Sequence, residues 1–374
     1  MLKKFLFGLI LFILVSGLSW AQQQITQPWW YSLEQGKQYY RSGAYGDALN
    51  AFDNARRGRL AHFSRMEDDM ILFLSAPAVR RLGDSLEIIE KYIALHNETR
   101  AASAMAELYH RLPKESLKDS AKRALEELDR LKSYPEAEYW LGEIYRAEGE
   151  LGLSVRQYEK AWKDRALLET PEFDVEILYK LAEVNRIRNE LLDMEKWARE
   201  IVEGRGPSGK PRDNLWATDN SYQMRIAMTR ILENDGVGRF LTLYRHDNTV
   251  TEKAHRLLGF YYYSSNRYSR AEEHLMFAFL IQNTVLINDV LRREYDYTFT
   301  TLEDLLGHVS SRRELQAFLE ETEYYRTVYY LASALYASGR TRPSRELWNF
   351  LAGSADAGEW GERARRNPNP NIAR

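Results

Sequence analysis

Three stretches of this chain set glycine, aromatic, apolar and small residues at the same successive offsets, and no other feature limits its possible folds as much. Gly36, Tyr39, Gly43, Tyr45, Ala48, Phe52 and Ala55 form one copy, and Gly259, Tyr262, Asn266, Tyr268, Ala271, Leu275 and Ala278 another. Gly142, Tyr145, Gly149, Leu151, Ser154, Tyr158 and Ala161 form the third. Looser copies run Leu181, Ala182, Asn185, Asn189, Ala198, Ile201 and Leu331, Ala332, Leu335, Gly339, Trp348, Leu351. Two helices of about a dozen residues lie close only where small side chains face one another and large ones fill the space beside them. The offsets therefore predict helical hairpins along an all-α chain.

The spacing of the copies extends this reading. First helices are expected near Trp29, Thr99, Pro135, Val175, Glu252 and Tyr325, at intervals of 70, 36, 40, 77 and 73 residues. The long intervals are about twice the short ones and predict a degenerate pair in each of 64–96, 213–246 and 286–322, about nine pairs in all. Asp84 with Glu87, Ser133 with Glu136, Thr249 with Glu252 and Ser311 with Glu314 have the spacing of a capping box, and Thr170-Pro171 that of a cap followed by a first-turn proline. Alternating β-branched runs are confined to short pieces such as 296–301.

The pattern resembles the tetratricopeptide repeat (TPR), by motif over about half of the chain and by spacing over most of it. The resemblance implies a right-handed superhelical solenoid of antiparallel helix pairs, in which the first helix of each pair lines a concave groove where partners bind. Groove positions carried onto this sequence are Lys37, Tyr40 and Arg41, then Tyr139, Glu143 and Arg146, then Tyr179, Glu183 and Arg186. Farther on they are Arg256, Phe260 and Tyr263, then Tyr329, Ser333 and Tyr336. The residues at 139–146 and 179–186 share Tyr, Glu and Arg at i, i+4 and i+7, one stripe along a helix. Each Glu either pairs with its own Arg and solubilises the helix, or joins Tyr and Arg as a binding ladder.

At the N-terminus, Lys3 and Lys4 precede an apolar run from Phe5 to Leu14, and Ser19-Trp20-Ala21 offers small residues at the positions that a signal peptidase reads. Residues 1–21 are expected to be a signal peptide cut before Gln22, giving an exported, periplasmic chain with no transmembrane segment after cleavage. An uncleaved anchor is the weaker reading, because a span needs about 20 apolar residues. Cleavage removes two lysines and no acid, leaving 50 basic against 54 acidic residues, a balance that asks for no nucleic acid. The chain has no cysteine, which excludes disulfides and thiolate chemistry.

No catalytic constellation emerges, and neither an enzyme, a cofactor nor a metal is expected. The seven histidines, at 62, 96, 110, 246, 255, 274 and 308, are scattered, and His255 and His274 fall at packing positions. The acidic runs 67–69 and 320–323 read as solvated helix faces. Residues 204–214, rich in Gly and Pro, are expected to be a solvated loop or a hinge between arrays spanning 22–203 and 215–366. Residues 367–374 are expected to be a disordered tail. The function expected is a scaffold that binds a protein in an outer-membrane, secretion or flagellar-motor complex. The alternative is an accessory of a transport system, enclosing a small apolar ligand at the aromatic end.

Overall fold

The computed structural model describes residues 28–75 and 118–366, with a few single residues between 89 and 104. The expected signal peptide, the caps at Asp84 and Glu87, the pair near Thr99 and the tail at 367–374 lie outside the described residues. The described chain is all-α. Its one β feature is an isolated antiparallel bridge between Arg205 and Pro211. Contacts divide the chain into two compact units, at Glu150 and Leu151.

In the first unit, α1 (Trp29–Arg41) packs on α2 (Tyr45–Ser75), which also holds α3 (Lys118–Leu131) and α4 (Pro135–Ala147). Its core joins Leu33, Phe52, Tyr134, Leu141 and Ile144. Arg59 is buried there, donating to the Leu131 carbonyl at 2.8 Å between the rings of Trp29 and Tyr134, each 4.8 Å away. Those rings and that carbonyl offset part of the cost of taking a cation out of water.

The second unit runs through α5 (Leu151–Lys163), α6 (Asp174–Ile187), α7 (Leu191–Glu203), α8 (Ser221–Leu243), α9 (Thr249–Ser264) and α10 (Tyr268–Arg293). It continues through α11 (Leu302–Ser310), α12 (Arg313–Glu321), α13 (Tyr324–Ala337), α14 (Thr341–Gly353) and α15 (Gly358–Arg366). The consecutive helices α6 and α7, α9 and α10, and α13 and α14 pack as hairpins. α10 is long and apolar enough to cross a membrane by composition, yet most of it is buried inside the protein, from Ala271 to Val290.

The small residues sit at the helix crossings. A Cβ on Gly36 would lie 2.4 Å from the Phe52 ring, and one on Gly259 2.5 Å from Leu275 Cγ, sixteen residues on in both cases. All five copies close their first helix with the same turn. Gly43, Gly149, Asn189, Asn266 and Gly339, each seven residues past the copy's small residue, take φ between 58° and 86°. The next N–H reaches back five residues, Ala44 to Tyr39, Glu150 to Tyr145, Glu190 to Asn185, Arg267 to Tyr262 and Arg340 to Leu335, at 2.8–2.9 Å. These are Schellman turns, whose left-handed position admits glycine and asparagine at least cost.

Several local expectations are corrected. The interval at 64–96 begins with the continuation of α2, whereas the one at 286–322 begins with the last turns of α10 and then holds two short helices packed on each other, α11 and α12. The interval at 213–246 holds two helical segments of α8 that meet at a break at Gly236 (φ 86°, ψ 179°), where the Glu346 carboxylate accepts the Val237 N–H at 3.1 Å and caps the second segment. The capping boxes expected at Thr249 and Ser311 do not form. α9 and α12 begin after Asn248 and Arg312, without a side-chain cap, and the short 3-10 turn after Thr170 also lacks one. Glu252 instead turns inward to Arg256 and Gln282. A cap does form at Thr301, which accepts the Asp304 N–H at 3.2 Å.

Residues 204–214 lie inside the second unit, and their end is not solvated. Arg212 pairs with Asp174, both buried. Asp213 is wholly buried, accepting the N–H groups of Leu215 (3.0 Å) and Trp216 (2.8 Å) and the Thr251 hydroxyl (2.9 Å). Trp216 then packs on His274 and Phe277, with the Arg225 guanidinium 4.4 Å from its ring. A charge that the composition of the loop presents as exposed is thus one of its anchors.

Candidate functional site

The second unit carries a concave pocket of about 600 Å³. α6 contributes Tyr179, Glu183 and Arg186, whose i, i+4, i+7 spacing places them on one face. α9 contributes Lys253, Arg256, Leu257, Phe260, Tyr261 and Tyr263, and the start of α13 brings Glu323, Arg326 and Tyr330. Leu191 and Met194 from the start of α7 complete the apolar wall. Six of the residues expected at the groove, Tyr179, Glu183, Arg186, Arg256, Phe260 and Tyr263, therefore converge here from helices more than sixty residues apart in sequence.

The floor is aromatic. Tyr330 stands 4.9 Å from Tyr263 and 5.3 Å from Phe260, ring centre to ring centre, and the Arg326 guanidinium lies 4.3 Å over Phe260. Charges fall into two groups. Arg256, buried, is held by Glu252 at 3.1 Å and Glu323 at 2.5 Å, and Arg326 also pairs with Glu323. Arg186, Glu183 and Lys253 make no salt bridge among the described residues, although Lys253 approaches the Tyr179 ring at 5.3 Å. The acidic run at 320–323 is accordingly not all solvated face, since Glu323 is the carboxylate that joins α9 to α13.

Tyr179 is also structural. Its hydroxyl donates to the Val250 carbonyl at 2.6 Å and accepts the Ala254 N–H at 3.2 Å, tying α6 to the first turn of α9. Burial, reinforced by the charge of Glu252, pushes its ionisation up. Burial raises Glu252 too, against the opposing pull of Arg256.

The two copies of the Tyr–Glu–Arg stripe have different fates. In the first unit Tyr139 and Glu143 are buried, contrary to the expectation of an open ladder. Glu143 pairs with Arg146 at 2.9 Å and lies within 3.4 Å of the Tyr40 hydroxyl, so this copy closes largely on its own unit. Burial and the neighbouring Glu143 raise the Tyr40 hydroxyl. Lys37 pairs with Glu34, and Arg41 is exposed. Tyr329 packs beside Tyr330 and Trp360, and Tyr336 packs on Trp348; neither lines the pocket.

Sequence reasoning missed Lys253, Arg326 and Tyr330. Lys253 and Arg256 are three residues apart, as are Glu323 and Arg326, so helical spacing within each segment could have found them. Among the described residues no group of three or more His, Asp or Glu is arranged to hold a metal ion.

No protein-family model matches the chain. It is similar to an uncharacterized protein of Treponema pallidum, 25% identical over 338 residues that span 90% of this chain and 88% of the relative. It is also similar to an uncharacterized protein of Borreliella burgdorferi, 24% identical over 218 residues, 54% of this chain and 66% of the relative.

Proposed function

We propose that this chain is an exported, TPR-like helical solenoid that acts as a scaffold in the cell envelope, holding a segment of a protein partner against the first helices of successive hairpins. The observation that carries this reading is the pocket. Three first helices present one continuous face, with an aromatic floor and with Arg186 and Lys253 free of carboxylate partners among the described residues. Tyr and Arg are the residue types that dominate binding hot spots, and unpaired cations beside an apolar floor favour a segment that offers an apolar side chain next to carboxylates. Export rests on the charged start, apolar run and small-residue site of residues 1–21.

The second reading, a transport accessory that encloses a small apolar ligand, draws on the same volume, which lies in the range of small-molecule sites. Six charged side chains in the lining, Glu183, Arg186, Lys253, Arg256, Glu323 and Arg326, favour a peptide over an apolar molecule. Affinity capture from detergent-solubilised envelope, followed by mass spectrometry, tests the proposal with the variant Arg186→Ala/Lys253→Ala/Phe260→Ala. The parent is expected to retain a protein that the variant loses by tenfold or more, at about 1–2 kcal/mol for each anchor. Equal capture by a folded variant defeats the reading. A small molecule carried by the purified parent and absent from the variant, seen by native mass spectrometry, would favour the second.

A further inference from the structure

Behind the pocket, on the other side of α9, four titratable groups from separate parts of the chain meet in a buried cluster. Asp213 comes from the loop before α8, His246 from the connection between α8 and α9, His255 from α9 and His274 from α10. His246 Nε2 lies 3.0 and 3.1 Å from the two Asp213 oxygens, and His255 Nε2 lies 3.3 Å from Oδ2. His255 Nδ1 faces His274 Nδ1 at 3.0 Å. All four residues are within a few per cent of complete burial.

We propose that this cluster is an acid-sensitive latch, which holds residues 212–220 on α9 and α10 while His255 and His274 are neutral and releases them when the pair must take up protons. The geometry assigns the hydrogens. An ionised Asp213 only accepts, so the ring nitrogens facing it, Nε2 of His246 and Nε2 of His255, carry hydrogen. A neutral His255 protonated at Nε2 has a bare Nδ1, and the facing Nδ1 of His274 therefore supplies the hydrogen between them. Both ring contacts of His255 are then satisfied with His255 and His274 neutral.

One added proton is accommodated at the bare Nε2 of His274, which leaves the Nδ1–H of His274 donating to His255 Nδ1. A second added proton puts two N–H groups head to head at 3.0 Å and breaks the contact. Burial opposes charging of both rings and on His255 outweighs Asp213, which favours the charged form. Arg199 from α7, Arg225 from α8 and Arg270 from α10 all act against a charged His274, and Arg225 also acts against a charged His255. The carboxylates nearby are otherwise engaged, Glu195 with the Tyr262 hydroxyl at 2.7 Å and Glu273 with Arg225 at 3.3 Å. Burial lowers both rings, His274 well below the ordinary histidine range. In the opened state both rings titrate near 6.5 and bind at least one proton more than the closed cluster, so acid favours opening.

The test is independent of what the pocket binds. Amide hydrogen exchange on the full chain at pH 7.5 and 5.5, corrected for the intrinsic rate, is expected to show protection of 212–220 and 246–256 falling about tenfold or more at the lower pH. α13 serves as the unaffected control. Unchanged protection in both segments overturns the latch. His274→Gln keeps an amide donor toward His255 and by turning can also accept, so this variant is expected to lose most of the acid step; a full step in the folded variant overturns the role of His274. Nitrogen-15 spectra of the histidine side chains need no substitution. Two rings that remain neutral at pH 6 are expected, and all seven histidines titrating near 6.5 would refute the assignment.

Discussion

Gly259 and Tyr179 show how single side chains set the spacing of this fold. Leu275 occupies the space where a Gly259 side chain would start, at 2.5 Å, so Gly259→Leu must push α9 and α10 apart. Overpacking of this kind costs about 1–3 kcal/mol, and the variant is expected to melt well below the parent. A matching melt would show that the crossing is not where the small-residue pattern puts it. Tyr179 works through its hydroxyl, which both donates to Val250 and accepts from Ala254. Tyr179→Phe retains the ring and leaves the Ala254 N–H without that acceptor, for an expected loss of about 1–2 kcal/mol in denaturant titrations. The glycine was legible from the recurring offsets alone. The double role of the tyrosine was not, because its partners are backbone atoms more than seventy residues away, and no side-chain pattern marks a backbone acceptor.

At the scale of elements, the closing turns are the most repeatable part of the molecule. Gly339 takes φ 86° with open space around it, so alanine there meets no neighbour and suffers only the backbone strain. Gly339→Ala is expected to cost about 1–2 kcal/mol. Gly307, inside α11 and equally free of neighbours, gives the opposite expectation: Gly307→Ala should stabilise by about 0.5–1 kcal/mol, because it removes backbone freedom from the unfolded chain. Thermal melts of the two variants should therefore move in opposite directions. Turns of this kind can be read in a sequence because one residue type serves one backbone conformation. Helix length cannot be read so directly. α2 and α10 run to 31 and 26 residues and so reach into intervals where the arithmetic expected new pairs, with α11 and α12 following α10 in the second of them. The box expected at Thr249 failed because Glu252 turns to Arg256 and Gln282 and away from its own helix start.

At the scale of the whole molecule, stability against acid is set by buried groups with opposing signs. His255 and His274 are lowered, so the folded chain binds fewer protons than the unfolded one below about pH 6.5, and stability falls with acid. Asp213 acts in the same direction at lower pH: burial raises it, hydrogen bonds from His246 and His255 outweigh that, and its contribution disappears below the ordinary carboxylate value. Glu272 acts the other way. Burial pushes it up to about 7 in spite of Arg340, so the folded state holds an extra proton between pH 4.5 and 7 and gains stability as pH falls through that window. Glu272→Gln removes this offset, and the melting temperature of the variant is expected to drop more between pH 7 and 5.5 than that of the parent. Equal slopes would show that Glu272 ionises normally. Half of the pocket was legible as a helical stripe on α6 and α9. Arg326 and Tyr330 were missed because the repeat register put Tyr329 and Tyr336 at the groove, whereas the face of α13 that lines the pocket carries Arg326 and Tyr330. Asp213 was hidden by its glycine- and proline-rich neighbours.

The apolar length of α10 has a consequence for biosynthesis. Before its neighbours have folded around it, the segment is by length and composition a run that passes for a membrane span. Gln282, Asn283 and Thr284, at its middle, raise the cost of entering lipid. In the folded protein the same three residues bond to Glu252 and the Thr322 carbonyl, to Tyr324, and to the helix's own Leu280 carbonyl. In a chain exported as proposed, exchanging them for leucine would do more than remove hydrogen bonds: it would take away the polar residues that set this helix apart from a membrane span.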